Sequence, residues 1–149
     1  MISRPFDLSR FHAAQAPVWN QVLSELRSGR KRTHWIWFVF PQLQALGRSA
    51  NARFYGLSGV GEARAWLADP VLGPRLFEAL DAVLASGRPV SQLLGPVDAI
   101  KLRSCLTLFL AAAPEEPRLA QALQRLYDGQ RDPLTEQLLP HNPSPDTQP

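Results

Sequence analysis

The sequence predicts an all-α fold, and three observations predict it. Apolar residues recur at three- and four-residue steps through most of the chain, the spacing of a helix face. Pro and Gly fall mostly between those runs, so the helices are short and sharply bounded. The run 35–40, apolar at every position, has no second strand candidate nearby to pair with. A short buried helix ended by Pro41 fits it better than a strand.

The elements follow in order. Asp7 is placed to cap a helical face built from Leu8, Phe11, Gln15, Val18, Trp19, Val22, Leu23 and Leu26. Pro17 removes an internal hydrogen bond, so a kink or two short helices are expected near Ala16. Gly29 ends the segment as a left-handed cap. After the 35–40 helix, Gln42–Arg48 is a connection anchored by Leu43 and Leu46. Ser49 caps a helix over 50–57, and 58–61 is a loop. A short helix spans 62–68. Asp69-Pro70 restarts the chain as cap and first helical residue. Val71, Leu72, Leu76, Leu80, Val83 and Leu84 form the next buried face. Gly73-Pro74 is expected to kink that helix and Gly87 to close it. Ser91 is read as the cap of a turn through Leu94. A central apolar helix over 97–113 turns Ile100, Leu102, Cys105, Leu106, Phe109 and Leu110 inward. Pro114 and Pro117 stop it and start the next, which buries Leu119, Leu123, Leu126 and Tyr127. Asp132-Pro133 opens a last helix ending near Leu139.

Length and composition bound the function. The 149 residues suit one compact domain, residues 1–139, with 140–149 as a disordered Pro-rich tail. One Cys excludes an internal disulfide and a multi-Cys zinc site, and three His lack ligand spacing. No metal and no cofactor are expected. The N-terminus lacks the pattern of a signal peptide, and no apolar run is long enough to cross a bilayer. The expected setting is cytoplasmic, with no membrane partner. A net charge of +3 permits an anionic partner.

One stretch concentrates the chemistry. Residues 29–42 read Gly-Arg-Lys-Arg-Thr-His-Trp-Ile-Trp-Phe-Val-Phe-Pro-Gln, three consecutive cations against the most aromatic run in the chain. Lys31 and Arg32 offer donors for a phosphate. Trp35 or Trp37 offers a flat face for a ring to stack on. His34 is the acid–base candidate, because an imidazole titrates near neutrality. The plainer reading stands beside this one: a solvated bend followed by core aromatics. Gln42, Arg48 and Ser49 follow, and Ser49 at a helix start suits either an anion or an ordinary cap. On the 97–113 helix, Lys101, Ser104 and Thr107 share a face and either line a pocket or bond neighbouring backbone. Asp98 lies one turn before Lys101 and can pair with it. His12 is read as a satisfied core histidine and Cys105 as inert and buried.

The 29–42 stretch resembles the hallmark of an uncharacterised bacterial family whose members often bear the propagated label "calpastatin". Further matching stretches are Asp7–Gln15, Leu46–Ser49, Ala63–Leu76 and Lys101–Phe109. The likeness covers roughly residues 5–139, with Thr33 where Ser is more familiar and Ile36 where Met is. It implies an all-helical fold and no particular activity. A fainter analogy is to NADAR-type helical proteins, which process ADP-ribose-type ligands. It rests on size, helical class and the segment Phe11–Gln15; the Glu-His pair common in that group has no counterpart, since Arg10 precedes Phe11.

Three functions follow as expectations. The first is binding or processing of a phosphate-bearing, nucleotide-like small molecule. Lys31, Arg32 and Lys101 would hold phosphate, and Trp35 or Trp37 the ring. If the ligand is turned over, N-glycosidic hydrolysis suits the parts, with His34 as acid and Asp98 steadying the developing cation. The second is a non-catalytic nucleic-acid-binding module. The third is a structural or partner-binding helical domain. The ligand reading depends on the 29–42 stretch meeting the 97–109 helix in space.

Overall fold

The computed structural model describes residues 6–139. Among them the fold is all-α, and no described helix is long and apolar enough to cross a membrane. Pro17 separates the first two helices as expected, α1 over Ser9–Gln15 and α2 over Trp19–Arg27. Asp7 Oδ1 accepts the Ser9 amide just before α1. Gly29, at φ +88°, turns the chain out of α2. The short α3, Ile36–Val39, buries Ile36 and Val39, whereas Trp37 and Phe38 stay half-buried.

The next segment departs from expectation. A 3-10 turn over Gln44–Leu46 follows α3, and Leu43 forms an isolated parallel bridge with Leu57. The Gln44 amide donates to the Leu57 carbonyl at 2.8 Å and the Leu57 amide to the Gln42 carbonyl at 2.9 Å. This extended pairing ends α4 at Phe54, so it spans Ala50–Phe54 and not 50–57. Gly56 permits the contact, since a Cβ there would lie 2.3 Å from the Gln44 Cα.

Helix α5 runs Val60–Ala68, taking in residues read as loop. Asp69 then caps as predicted, its Oδ1 accepting the Val71 and Leu72 amides, but α6 begins at Leu72 and runs to Ala85. Pro70 lies in the turn before it, and Val71 is exposed instead of buried. Gly73-Pro74 makes no mid-helix kink. Both sit in the first turn of α6, where Pro lacks only an amide that has no intrahelical partner anyway. Gly73 lets that turn approach the Leu67 carbonyl.

Helix α7, Val90–Leu94, has Pro89 at its cap position, and Ser91 lies exposed within it without capping. Gly95, at φ +89°, redirects the chain into α8, Pro96–Ala112. This helix is central, packing against α5 and α7 and against α9, Pro117–Tyr127, and α10, Pro133–Leu138. Its Leu102, Cys105, Leu106 and Phe109 are buried, but Ile100 is 57% exposed and does not face the core. Aromatic contacts tie three helices together: Phe11 of α1 stands edge-on to Trp66 of α5 at 4.3 Å, and Trp66 meets Phe109 of α8 at 6.1 Å. The tail expected over 140–149 lies outside the described residues.

Candidate functional site

The 29–42 stretch and the start of α8 do meet. The join begins in the backbone, where the Lys31 amide donates to the Leu93 carbonyl of α7 at 2.8 Å. Gly95 then turns α8 so that Asp98 falls in its first turn, facing Lys31. The Lys31 Nζ lies 2.9 Å from Asp98 Oδ2, 2.6 Å from the Thr33 carbonyl, and 5.0 Å from the centre of the Trp35 ring. Its side chain is only 7% exposed. Lys101 shares the same carboxylate more loosely, at 3.8 Å from Asp98 Oδ1, and its Nζ lies 5.4 Å from the centre of the Trp37 ring. Lys101 is 25% and Asp98 18% exposed. Two ammonium groups, one carboxylate and one half-buried indole therefore form a single cluster.

Glu25 organises the bend that leads into this cluster. Its carboxylate accepts the Arg32 and Thr33 amides, the Thr33 hydroxyl and the Trp35 indole N–H, all between 2.6 and 3.0 Å. Burial opposes its ionisation, yet the bonds from Thr33, Arg32 and Gln21 outweigh it and bring the pKa down to about 2. Sequence reasoning missed Glu25. The available signal was an acid placed between Val22, Leu23 and Leu26 on an otherwise apolar face, where a carboxylate must find donors.

The remaining candidates divide. Trp35 is buried with its N–H on Glu25, so it cannot stack a ligand, and only Trp37 remains for that role. Arg32 and His34 are exposed on the bend, and no hydrogen bond among the described residues joins His34 to Asp98 or orients its ring. Ser104 is buried and donates to the Ile100 carbonyl at 3.2 Å. Thr107 donates to Arg103 and accepts the Asp132 amide. Both hydroxyls bond backbone, and the cleft that Thr107 borders is lined by Leu110, Pro114 and Arg131, not by the lysine cluster. Ser49 Oγ accepts the Ala52 amide as a helix cap. Gln42 and Arg48 flank the 3-10 turn, and no hydrogen bond or ion pair among the described residues links them to the lysine cluster. Cys105 is buried as expected, and burial pushes its thiol up.

His12 corrects another expectation. It is no core histidine: it is partly exposed, and its Nε2 lies 2.8 Å from Asp69 Oδ2. The pair borders a cleft of about 460 Å³ together with Phe6, Asp7, Leu8 and Ser9.

The family described as "protein of unknown function (DUF1810)" matches residues 5–139. The chain belongs to the DUF1810 family. That span includes every residue of the lysine cluster. Among solved structures, the conserved hypothetical protein Rv1873 from Mycobacterium tuberculosis is 47% identical, with a TM-score of 0.87. The match covers 91% of this chain and 98% of that one. No curated protein matches the chain.

Proposed function

We propose that this DUF1810 protein binds a phosphate-bearing, nucleotide-like small molecule of the ADP-ribose type where residues 31–37 meet α8. The observation that supports the reading is the Lys31–Asp98–Lys101 cluster against Trp37. It joins the cationic and aromatic parts of the 29–42 stretch to the helix that carries Lys101. Lys101 is the cation best suited to a ligand phosphate, since it is the more exposed and the more loosely held of the two. The exposed Arg32 lies on the adjoining bend and adds a second accessible cation, with the exposed His34 two residues on. The half-buried Trp37 ring supplies an apolar surface for a base.

The test is a calorimetric titration with ADP-ribose, NAD, inorganic phosphate and a short single-stranded oligonucleotide, at low and moderate salt. Binding of ADP-ribose that weakens at least tenfold in both Lys101→Ala and Trp37→Leu supports the reading. An assay for N-glycosidic cleavage then asks whether His34→Ala abolishes turnover. Binding of the oligonucleotide alone, lost at moderate salt, replaces it with a nucleic-acid surface. No binding of any probe leaves the cluster as structural.

A further inference from the structure

We propose that Asp98 is an internal stand-in for the ligand's phosphate, a competitor that sets how tightly the site takes an anion. This rests on the binding reading above and adds the regulation of that site. The two lysines hold Asp98 unequally. Lys31 is committed: its ammonium is enclosed by Asp98 Oδ2 at 2.9 Å, the Thr33 carbonyl at 2.6 Å and the Trp35 face. Lys101 touches Asp98 Oδ1 only at 3.8 Å and keeps a quarter of its side chain in solvent. An incoming phosphate oxyanion therefore takes Lys101, while Asp98 stays on Lys31. The carboxylate then stands beside the bound phosphate as a like charge and weakens it. Without that carboxylate Lys101 has no counter-anion in the cluster, and anions of any kind would occupy it. The fold thus trades affinity for a site that only a ligand with additional contacts can fill.

The test titrates inorganic phosphate and ADP-ribose against the wild type, Asp98→Asn and the double variant Asp98→Asn with Lys101→Ala. Asn keeps the shape and an oxygen for Lys31. Asp98→Ser serves if Asp98→Asn does not fold, since Ser is also tolerated near a helix start. The expected result is binding of both probes roughly fivefold tighter in Asp98→Asn, the size of a partly exposed charge pair, with the gain lost in the double variant. Unchanged or weaker binding in Asp98→Asn, with the wild type still binding ADP-ribose, overturns the competitor role and leaves the binding reading intact. Tighter binding that survives in the double variant overturns it as well, because the anion then sits elsewhere. If neither wild type nor Asp98→Asn binds either probe, the binding reading falls and this inference with it.

Discussion

The Lys31 ammonium and the Asp98 carboxylate, 67 positions apart in the chain, lie 2.9 Å from each other and join the bend after α2 to the first turn of α8. With the Lys31 side chain almost fully enclosed, the pair is partly desolvated. Removing the lysine leaves the largely buried Asp98 carboxylate with only the looser Lys101 contact at 3.8 Å. Lys31→Ala is therefore expected to destabilise the protein by about 2 kcal/mol, and Lys101→Ala, at the looser and wetter contact, by less than about 1 kcal/mol. Urea denaturation of the two variants checks the difference. Equal losses would remove the distinction between a structural and a ligand-facing lysine.

Glu25 predicts an acid-side instability. Its folded pKa of about 2 lies below the ordinary 4.5. The unfolded chain thus takes up the proton first as pH falls. The contribution is complete above pH 4.5 and is lost progressively toward pH 2. The shift corresponds to roughly 3 kcal/mol at most. Glu25→Gln should lower stability at neutral pH and flatten the fall between pH 5 and about 2.5. Urea midpoints across that range for both proteins measure it, and parallel curves would exclude Glu25 as the source.

The elements whose boundaries local chemistry sets were legible in the sequence. Pro17 parts α1 from α2, Asp69 and Asp132 cap, and Pro117 opens α9, all through groups within a few residues of one another. What escaped depends on partners distant in sequence. The early end of α4 comes from Leu57 pairing with residues 42–44, which no helical periodicity announces. Ile100 keeps the helical spacing of a core residue and yet is 57% exposed, because tertiary packing, not spacing, decides which side of α8 is covered. The site was half legible for the same reason. Lys31, Asp98, Lys101 and Trp37 stood out by type and spacing. That Trp35 is committed to Glu25 follows only once α2 and the bend are in place.

Gly56 tests the unexpected bridge. A Cβ there would lie 2.3 Å from the Gln44 Cα and 2.9 Å from the Ala52 carbonyl oxygen, both backbone atoms that cannot swing aside. Gly56→Ala is expected to cost more than about 2 kcal/mol. Gly59→Ala meets no atom of the described residues within 4 Å, and its extended backbone suits any residue, so it should cost within about 1 kcal/mol. Thermal melts of the two variants compare them directly. A mild Gly56→Ala would mean that residues 42–44 and 56–57 can separate without loss.

Asp69 carries two tasks on one carboxylate, and substitutions separate them. Oδ1 accepts the Val71 and Leu72 amides at 2.9 Å each, closing the start of α6, while Oδ2 meets His12 of α1 at 2.8 Å. Burial works against its charge, but the Leu72 and Val71 amides and His12 prevail and hold the carboxyl below the usual range. Asp69→Ala removes both tasks and should cost about 1–2 kcal/mol, as lost helix caps do. Asp69→Asn keeps a capping oxygen and gives up the charge, so its cost should be less than half of that. His12→Ala leaves the cap whole and, at a partly exposed contact, should cost less than about 1 kcal/mol. Chemical denaturation of the three variants ranks the tasks. If His12→Ala proved as costly as Asp69→Ala, the tie between α1 and the α5–α6 turn, and not the cap, would be what this carboxylate chiefly supplies.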